Sequence, residues 1–473
     1  MRRLLVTPVA ALVLTAGFAT ARAYPFLPPR PVPSAIAGPT DPHVAAIFYN
    51  PAALGPMKGL HVWIDGGARL EEGSVDRAPL EGQPRGSASI NWANLDAFAG
   101  LVWDLNTDSL KVGIATYTPF TDLSSYSASG PLRFHEIDQT FTVLEQTVAA
   151  AYQLSDRFMI GAAFNIAESW LSWRFARDAA PPLGNAAIDA PGGLCGGPCG
   201  LENPLAEQRV RLRGFGWGLG FSVGVLGKPI DRLWLALSYT SHLFNPGQGA
   251  DLPLHDQTRA HVTPAPGQGA VCGGGDCVGG DLVVAAIPDI IHAGVRILVT
   301  RKFDLESWAR WVHYSERAAL DVTLQGSNIA KSGVPPQQLY DRGLQDAFGV
   351  ELSGRWKLGP RWRLAPSLFF ETSAVDKSAV SAATLDGTKF DAAVTAEWHP
   401  IRWLIVGANA GATAYVIGEV KSRYNPRALA GCADAAFSLD SCTAATAGQG
   451  LSSASGNYTL VVVHLSGAIG LEF

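Results

Sequence analysis

Gly220-Phe221-Ser222-Val223-Gly224 has the G-x-S-x-G spacing of a nucleophile elbow, in which a serine on a sharp strand-to-helix turn attacks an acyl carbon. Here the five residues sit inside a longer alternation, Gly214–Gly224, that reads as a single extended strand, and no histidine and acid converge as partners. The ten histidines show no metal-ligand spacing, and His292 and His464 read as polar residues on strands. The six cysteines fall into three local pairs, Cys195/Cys199, Cys272/Cys277 and Cys432/Cys442. The first two have the look of zinc half-sites, but neither has the second pair or the spaced histidine that a structural site needs. Disulfides, each closing a short loop, are the better reading if the chain is exported. Arg296, Arg310 and Arg355 are charges set into apolar runs. They suit contact with an anionic head group, or pairing with Glu306, Glu351 and Glu371. No catalytic residue, metal or cofactor is expected.

Export is indicated at the start. Met1–Ala23 reads as a signal peptide: Arg2 and Arg3, an apolar stretch over Leu4–Phe18, and Ala21-Arg22-Ala23 as the cleavage site. No later stretch reaches the roughly 18 apolar residues of a spanning helix. Charged residues make up 16% of the chain, against about 25% in ordinary soluble domains. The net charge of −5 is small for the length and points to no nucleic-acid partner.

The elements that would carry these residues are strands. In the last segment Val461, Val463, Leu465, Gly467, Ile469, Leu471 and Phe473 share one face, and Val462, His464, Ser466, Ala468, Gly470 and Glu472 the other. About ten such residues cross a bilayer when tilted. Further back, short polar or Pro/Gly connections at 106–108, 155–157, 228–231, 300–302, 359–361 and 399–401 each join two alternating runs as hairpin turns do. Six hairpins, a first strand near Leu60–Leu70 and the last strand make fourteen. The long connections between hairpins, near 73–87, 121–136, 175–207, 244–287, 318–342, 376–387 and 421–456, all fall at the other end and contain every cysteine pair. Short turns on one side and long loops on the other are the pattern of an outer-membrane barrel. Charges such as Arg296, Glu306, Arg310, Arg363 and Glu371 are assigned to the lumen, because at mid-depth on the lipid face each would cost about 2–4 kcal/mol. The expected fold is therefore all-β, a fourteen-stranded antiparallel transmembrane β-barrel. Inside Gly214–Gly224 one face is almost all glycine, a smooth wall against which another segment could pack.

Residues 24–58 lack strand alternation. They are dense in proline and too apolar for a solvated tail, so a hatch, or plug, inside the barrel is expected there, with 59–473 as the barrel itself. Ala45-Ala46-Ile47-Phe48-Tyr49-Asn50-Pro51-Ala52-Ala53-Leu54 resembles the N-terminal hatch of FadL/TodX-type outer-membrane transporters of hydrophobic compounds. Val112–Phe120, Gly227–Leu233, Ser238–Ser241, Pro335–Asp341 and the last strand are similar as well. The resemblance implies a monomeric barrel in the outer membrane of a Gram-negative bacterium. In it the hatch fills the lumen, and an inward kink of an early strand opens a gap in the wall. It implies hydrophobic small molecules (fatty acids, hydrocarbons) as cargo, with outer-membrane lipids, or detergent in vitro, around the barrel. It further implies hatch and gate roles for Asn50, Pro51 and Ala52, a kink residue at Gly113 and a luminal acid at Asp341. Two other functions compete: a general porin for polar solutes, which has no use for a plug, and an adhesin or surface-structural barrel.

Overall fold

The computed structural model describes residues 26–79, 85–178, 202–243, 259–263, 274–275, 277–278, 288–317, 319–323, 337–341, 343–423 and 454–473. The segment read as a signal peptide lies outside them. The described strands are β1 (Leu60–Arg77), β2 (Ser87–Trp103), β3 (Leu110–Ser125), β4 (Asp138–Ser155), β5 (Phe158–Asp178), β6 (Glu207–Ile230), β7 (Leu233–Thr240), β8 (Arg259–Thr263), β9 (Cys277–Val278), β10 (Ile290–Thr300), β11 (Phe303–Val312), β12 (Ala319–Thr323), β13 (Gln337–Asp341), β14 (Ala347–Lys357), β15 (Trp362–Glu371), β16 (Thr388–Ile401), β17 (Leu404–Val420) and β18 (Gly456–Glu472).

β1–β7, β10, β11 and β14–β18 form the wall, fourteen strands each antiparallel to its neighbours. β5 pairs with β6 and β1 pairs with β18, so the sheet has no free edge and closes into a barrel. The first and last strands meet over a long register, from His61 opposite Glu472 to Arg77 opposite Gly456. β8 and β9 extend from the upper part of β6, and β12 and β13 make a separate two-stranded hairpin in a loop. All six hairpin turns expected from the sequence connect neighbouring wall strands.

Burial is inverted relative to a soluble protein. In β15 Leu368 is 62% exposed while the adjacent Ser367 is 6% exposed. Phe164, Ile166, Trp217, Phe221, Leu465 and Ile469 point outward, whereas Asn165, Ser222, Glu306, Arg310, Glu371 and Asp391 are buried. Only a lipid-facing outer wall makes this ordering favourable. The strands on one side are longer than their apolar stretches: β1 continues through Glu71, Glu72 and Asp76 to Arg77. Above the lipid the outward face no longer has to be apolar, so the alternation of hydrophobicity ends before the strand does.

The lipid-facing assignment has a direct consequence for stability. Leu465→Arg, outward and mid-strand in β18, is expected to destabilise folding into vesicles by about 2–4 kcal/mol, measured by urea titration. An unchanged midpoint would place that face elsewhere.

Candidate functional site

Residues 26–58 pack against inward-facing residues from opposite sides of the wall and so occupy the bore. A single helical turn, Ala46–Tyr49, leads to Asn50 in extended backbone, then a 3-10 turn over Pro51–Leu54. Pro51 suits the first position of that turn, where its missing N–H is no loss. The Asn50 side chain does three things from a fully buried position. Its oxygen accepts the Ala52 N–H at 3.1 Å, capping the turn. Its amide nitrogen donates to the Pro39 carbonyl at 3.0 Å and to the Val225 carbonyl of β6 at 3.1 Å. The Ser238 hydroxyl in β7 adds a bond to the Tyr49 carbonyl at 2.6 Å.

This close approach requires glycine in the wall. A Cβ on Gly161 would lie 2.3 Å from the Ala52 nitrogen, and one on Gly224 would lie 2.0 Å from Asn50 Oδ1. Gly224 belongs to the smooth face expected in β6; Gly161, in β5, carries no signal in the sequence that sets it apart. Ala52, fully buried, is small enough to reach this seat. Burial pushes the Tyr49 phenol up and the His43 imidazole down.

Charges fix the rest of the segment. Arg30 pairs with Glu351 at 2.8 Å and with Asp391 at 3.2 Å. Asp41 lies between Arg296, at 2.5 Å, and Arg355, which also pairs with Glu306. Arg310 pairs with Glu371 at 2.6 Å and donates to the carbonyls of Pro28 and Leu27 at 2.8 and 3.0 Å. The Leu27 N–H donates to the Tyr314 hydroxyl at 2.8 Å. Thus Arg296, Arg310 and Arg355, read from the sequence as head-group contacts or wall braces, hold the N-terminal segment, and protein carboxylates already neutralise them. Arg30 and Asp41 went unnoticed because the segment has no periodicity to show which way they point.

At one place in the described wall a bulge coincides with the end of a ladder. β2 and β3 pair from Trp103 opposite Val112 to Phe98 opposite Tyr117 and stop. Both strands nevertheless continue, β2 from Ser87 and β3 to Ser125. At the same level β3 carries one extra residue against β4, since Tyr117 faces Glu145 and Phe120 faces Val143. Pro119, which has no N–H to give, lies in this bulge. Side chains take the place of the missing ladder. Thr118 Oγ1 accepts the Ala97 N–H at 3.0 Å. Thr121 Oγ1 donates to the Leu95 carbonyl at 3.0 Å. Arg69 of β1 reaches over β2 to Asp96 at 2.9 Å and to the Thr121 carbonyl at 2.7 Å. The Trp92 indole N–H meets the Ser125 carbonyl at 3.3 Å. The break is therefore at Thr118–Pro119 and not at Gly113, the residue expected to kink. Gly113 sits in the regular ladder, where a Cβ would lie 2.9 Å from Ile47 Cδ1. Proline inside a strand is the signal that could have located the break.

The segment and the break touch. Phe48 packs edge-on against Tyr117, the last residue of the paired stretch, with ring centroids 5.7 Å apart, and Tyr117 stacks on Phe98 at 5.8 Å. Only Tyr49 separates Phe48 from Asn50, so movement of the Asn50 seat bears directly on the final rung of the ladder. Ser222, the elbow candidate, lies mid-strand in β6; Asn165 donates to it at 3.2 Å, and it lies 3.1 Å from Thr240. Asp341 ends β13, outside the barrel wall. Cys195, Cys199, Cys272, Cys432 and Cys442 lie outside the described residues, and only the backbone of Cys277, in β9, is described.

A family model described as "Outer membrane protein transport protein (OMPP1/FadL/TodX)" matches residues 34–408. A Pseudomonas aeruginosa FadL homologue superposes with a TM-score of 0.70 at 15% identity, over 96% of this chain and 100% of that one. The Ralstonia pickettii toluene transporter TbuX gives 0.61 at 12%, over 95% and 98%. The P. putida toluene transporter TodX gives 0.58 at 11%, over 91% and 94%. At these identities the likeness establishes the fold. Among curated proteins no sequence match was found.

The glycine seat yields a prediction. Gly161→Val forces a side chain into the Ala52 backbone and is expected to dislodge the segment, giving a several-fold higher ion conductance in planar bilayers from a normally folded barrel. Unchanged conductance would show that the segment does not obstruct the bore.

Proposed function

The chain belongs to the outer membrane protein transport family (OMPP1/FadL/TodX), and from that premise we propose that it takes up hydrophobic compounds, such as long-chain fatty acids or aromatic hydrocarbons, without an energy source. Residues 24–58 act as the hatch. Cargo enters an apolar pocket at the extracellular side, displaces the hatch locally and leaves sideways between β2 and β3 into the membrane. The barrel works as a monomer, and its cysteine pairs staple the long loops.

The observation that carries this reading is the stretch of wall where β2 and β3 run on without a ladder, contacted by Phe48 through Tyr117. The physical logic is partitioning. Each buried methylene is worth about 0.8 kcal/mol, so a greasy solute gains nothing from a water-filled pore and much from an apolar pocket that drains into lipid. A gap in a membrane wall leaves backbone groups without ladder partners, which is tolerable only where side chains or water satisfy them. Thr118, Thr121 and Arg69 do this in the closed state. Their bonds can exchange for water as the strands part, which a continuous ladder could not do cheaply. Two of the similar structures are named as toluene transporters, which supports a hydrophobic cargo. A porin for polar solutes fits less well, because the bore is filled by a buried, ion-paired segment.

Deleting Pro119 tests the route. It removes the extra residue, lets β3 regain register and is expected to extend pairing with β2 across the break. Uptake of a labelled fatty acid or aromatic should fall to the background of cells lacking the protein, with normal amounts of folded barrel in the outer membrane. Wild-type uptake by the folded deletion variant would refute lateral exit.

A further inference from the structure

We propose that the outer rim of the barrel binds one divalent transition-metal ion of the zinc class through His242, Asp289, His313 and Glu316. The four residues come from three separate places: just beyond the end of β7, just before β10, and just beyond β11. Among the described residues, His242, Asp289 and Glu316 place one ligand atom each within 4.8 Å of one another. His242 Nδ1 lies 3.2 Å from Asp289 Oδ2 and 3.9 Å from Glu316 Oε2. His313 Nδ1 lies 3.6 Å from Asp289 Oδ2. In a tetrahedral site with bonds of about 2.0–2.2 Å, ligand atoms stand roughly 3.3–3.6 Å apart; the two histidine–Asp289 separations are close to this, and His313, which is not in the group of three, completes the set by turning toward the ion. Two imidazoles with two carboxylates favour zinc over magnesium or calcium, which prefer all-oxygen sets.

The support around the cluster is that of a ligand set held in place. Asp289 Oδ1 accepts the Tyr239 hydroxyl at 2.6 Å and the His242 backbone N–H at 2.8 Å, and both carboxylate oxygens lie 3.2 Å from His242 Nδ1, with Oδ2 also facing His313. The His313 N–H donates to the Asp289 carbonyl at 3.0 Å, locking the two residues together. Glu316 lies in the 3-10 turn Tyr314–Arg317, and Ser315 in that turn is anchored to Asp346. Outer partners of this kind orient metal ligands and set their basicity. His313 also stacks on Trp311, so its ring is positioned from the opposite face. All four side chains are partly exposed, which gives an ion access from outside. The bound ion would pin the base of the connection from β7 to β10 against the turn that follows β11. Through Tyr314 that turn also receives the Leu27 N–H, so the clip lies one residue from the outer end of the segment in the bore.

The test uses tag-free, chelator-washed barrel in detergent under non-reducing conditions, titrated with zinc chloride in a calorimeter. One ion per barrel is expected. His242→Ala and His313→Ala should each weaken binding more than tenfold, and Tyr239→Phe, which removes an outer partner, by about tenfold. Cobalt(II) added to the wild type should give the intense visible absorption of a tetrahedral site, absent in the double variant His242→Ala/His313→Ala. Heat-modifiable migration on gels verifies that each variant is folded. No saturable zinc binding, or wild-type affinity in the folded double variant, overturns the proposal; the second result would assign the ion to other histidines or to the cysteines.

Discussion

A backbone amide left without a partner in hydrocarbon costs several kcal/mol, and the architecture follows from avoiding that loss. Closure through the long β1–β18 seam removes both free edges. The exception between β2 and β3 is informative because it is compensated residue by residue. Threonine hydroxyls and an arginine from the next strand over occupy positions where a ladder would otherwise run. Side-chain bonds of this kind can be released one at a time, whereas a ladder is cooperative. Beyond Phe98 and Tyr117 the contact between β2 and β3 is thus held by side chains in place of a backbone ladder.

The interior obeys a different rule. Arg30, Asp41, Arg296, Arg310 and Arg355 are buried or nearly so and are paired across the boundary between the segment and the wall. Buried ion pairs add little net stability once desolvation is counted, but a single misplaced partner is strongly unfavourable. They therefore determine where the segment sits more than how tightly it is held. The glycine seat under Asn50 and Ala52 does the same by shape. A segment located this specifically yet without a large apolar core of its own is well suited to leaving and returning to one position.

Much of this was legible in the sequence, and the reasons are physical. Lipid demands an apolar outer face, so Val461 to Ile469 and Trp362 to Phe370 announce their strands, and tight turns demand residues such as Pro360 and Pro400. The Asn50-Pro51 motif was visible because a capped turn has a local signature. Its counterpart Gly161 was not, because a glycine among the small residues of β5 looks like any other until a second segment is placed on it. Gly113 drew attention as a residue without a side chain, but a bulge needs an inserted residue, and the insertion is at Thr118–Pro119. The reach of β1 to Arg77 and the loop hairpin β12–β13 were missed because no lipid imposes a pattern on them.

The strands also differ greatly in length, with 21 and 24 residues in β5 and β6 but 10 or 11 in β10, β11, β14 and β15. Ten residues at about 3.3 Å each, tilted by roughly 45°, climb about 23 Å, close to the thickness of the oily layer. Twenty-four climb more than twice as far. Among the described wall strands the edge is accordingly cut at a slant, like a quill: low along β10, β11, β14 and β15, and standing well clear of the lipid along β4–β6. The threonine-sealed slot between β2 and β3 lies next to this high side, so the long strands wall it off from the polar layer above.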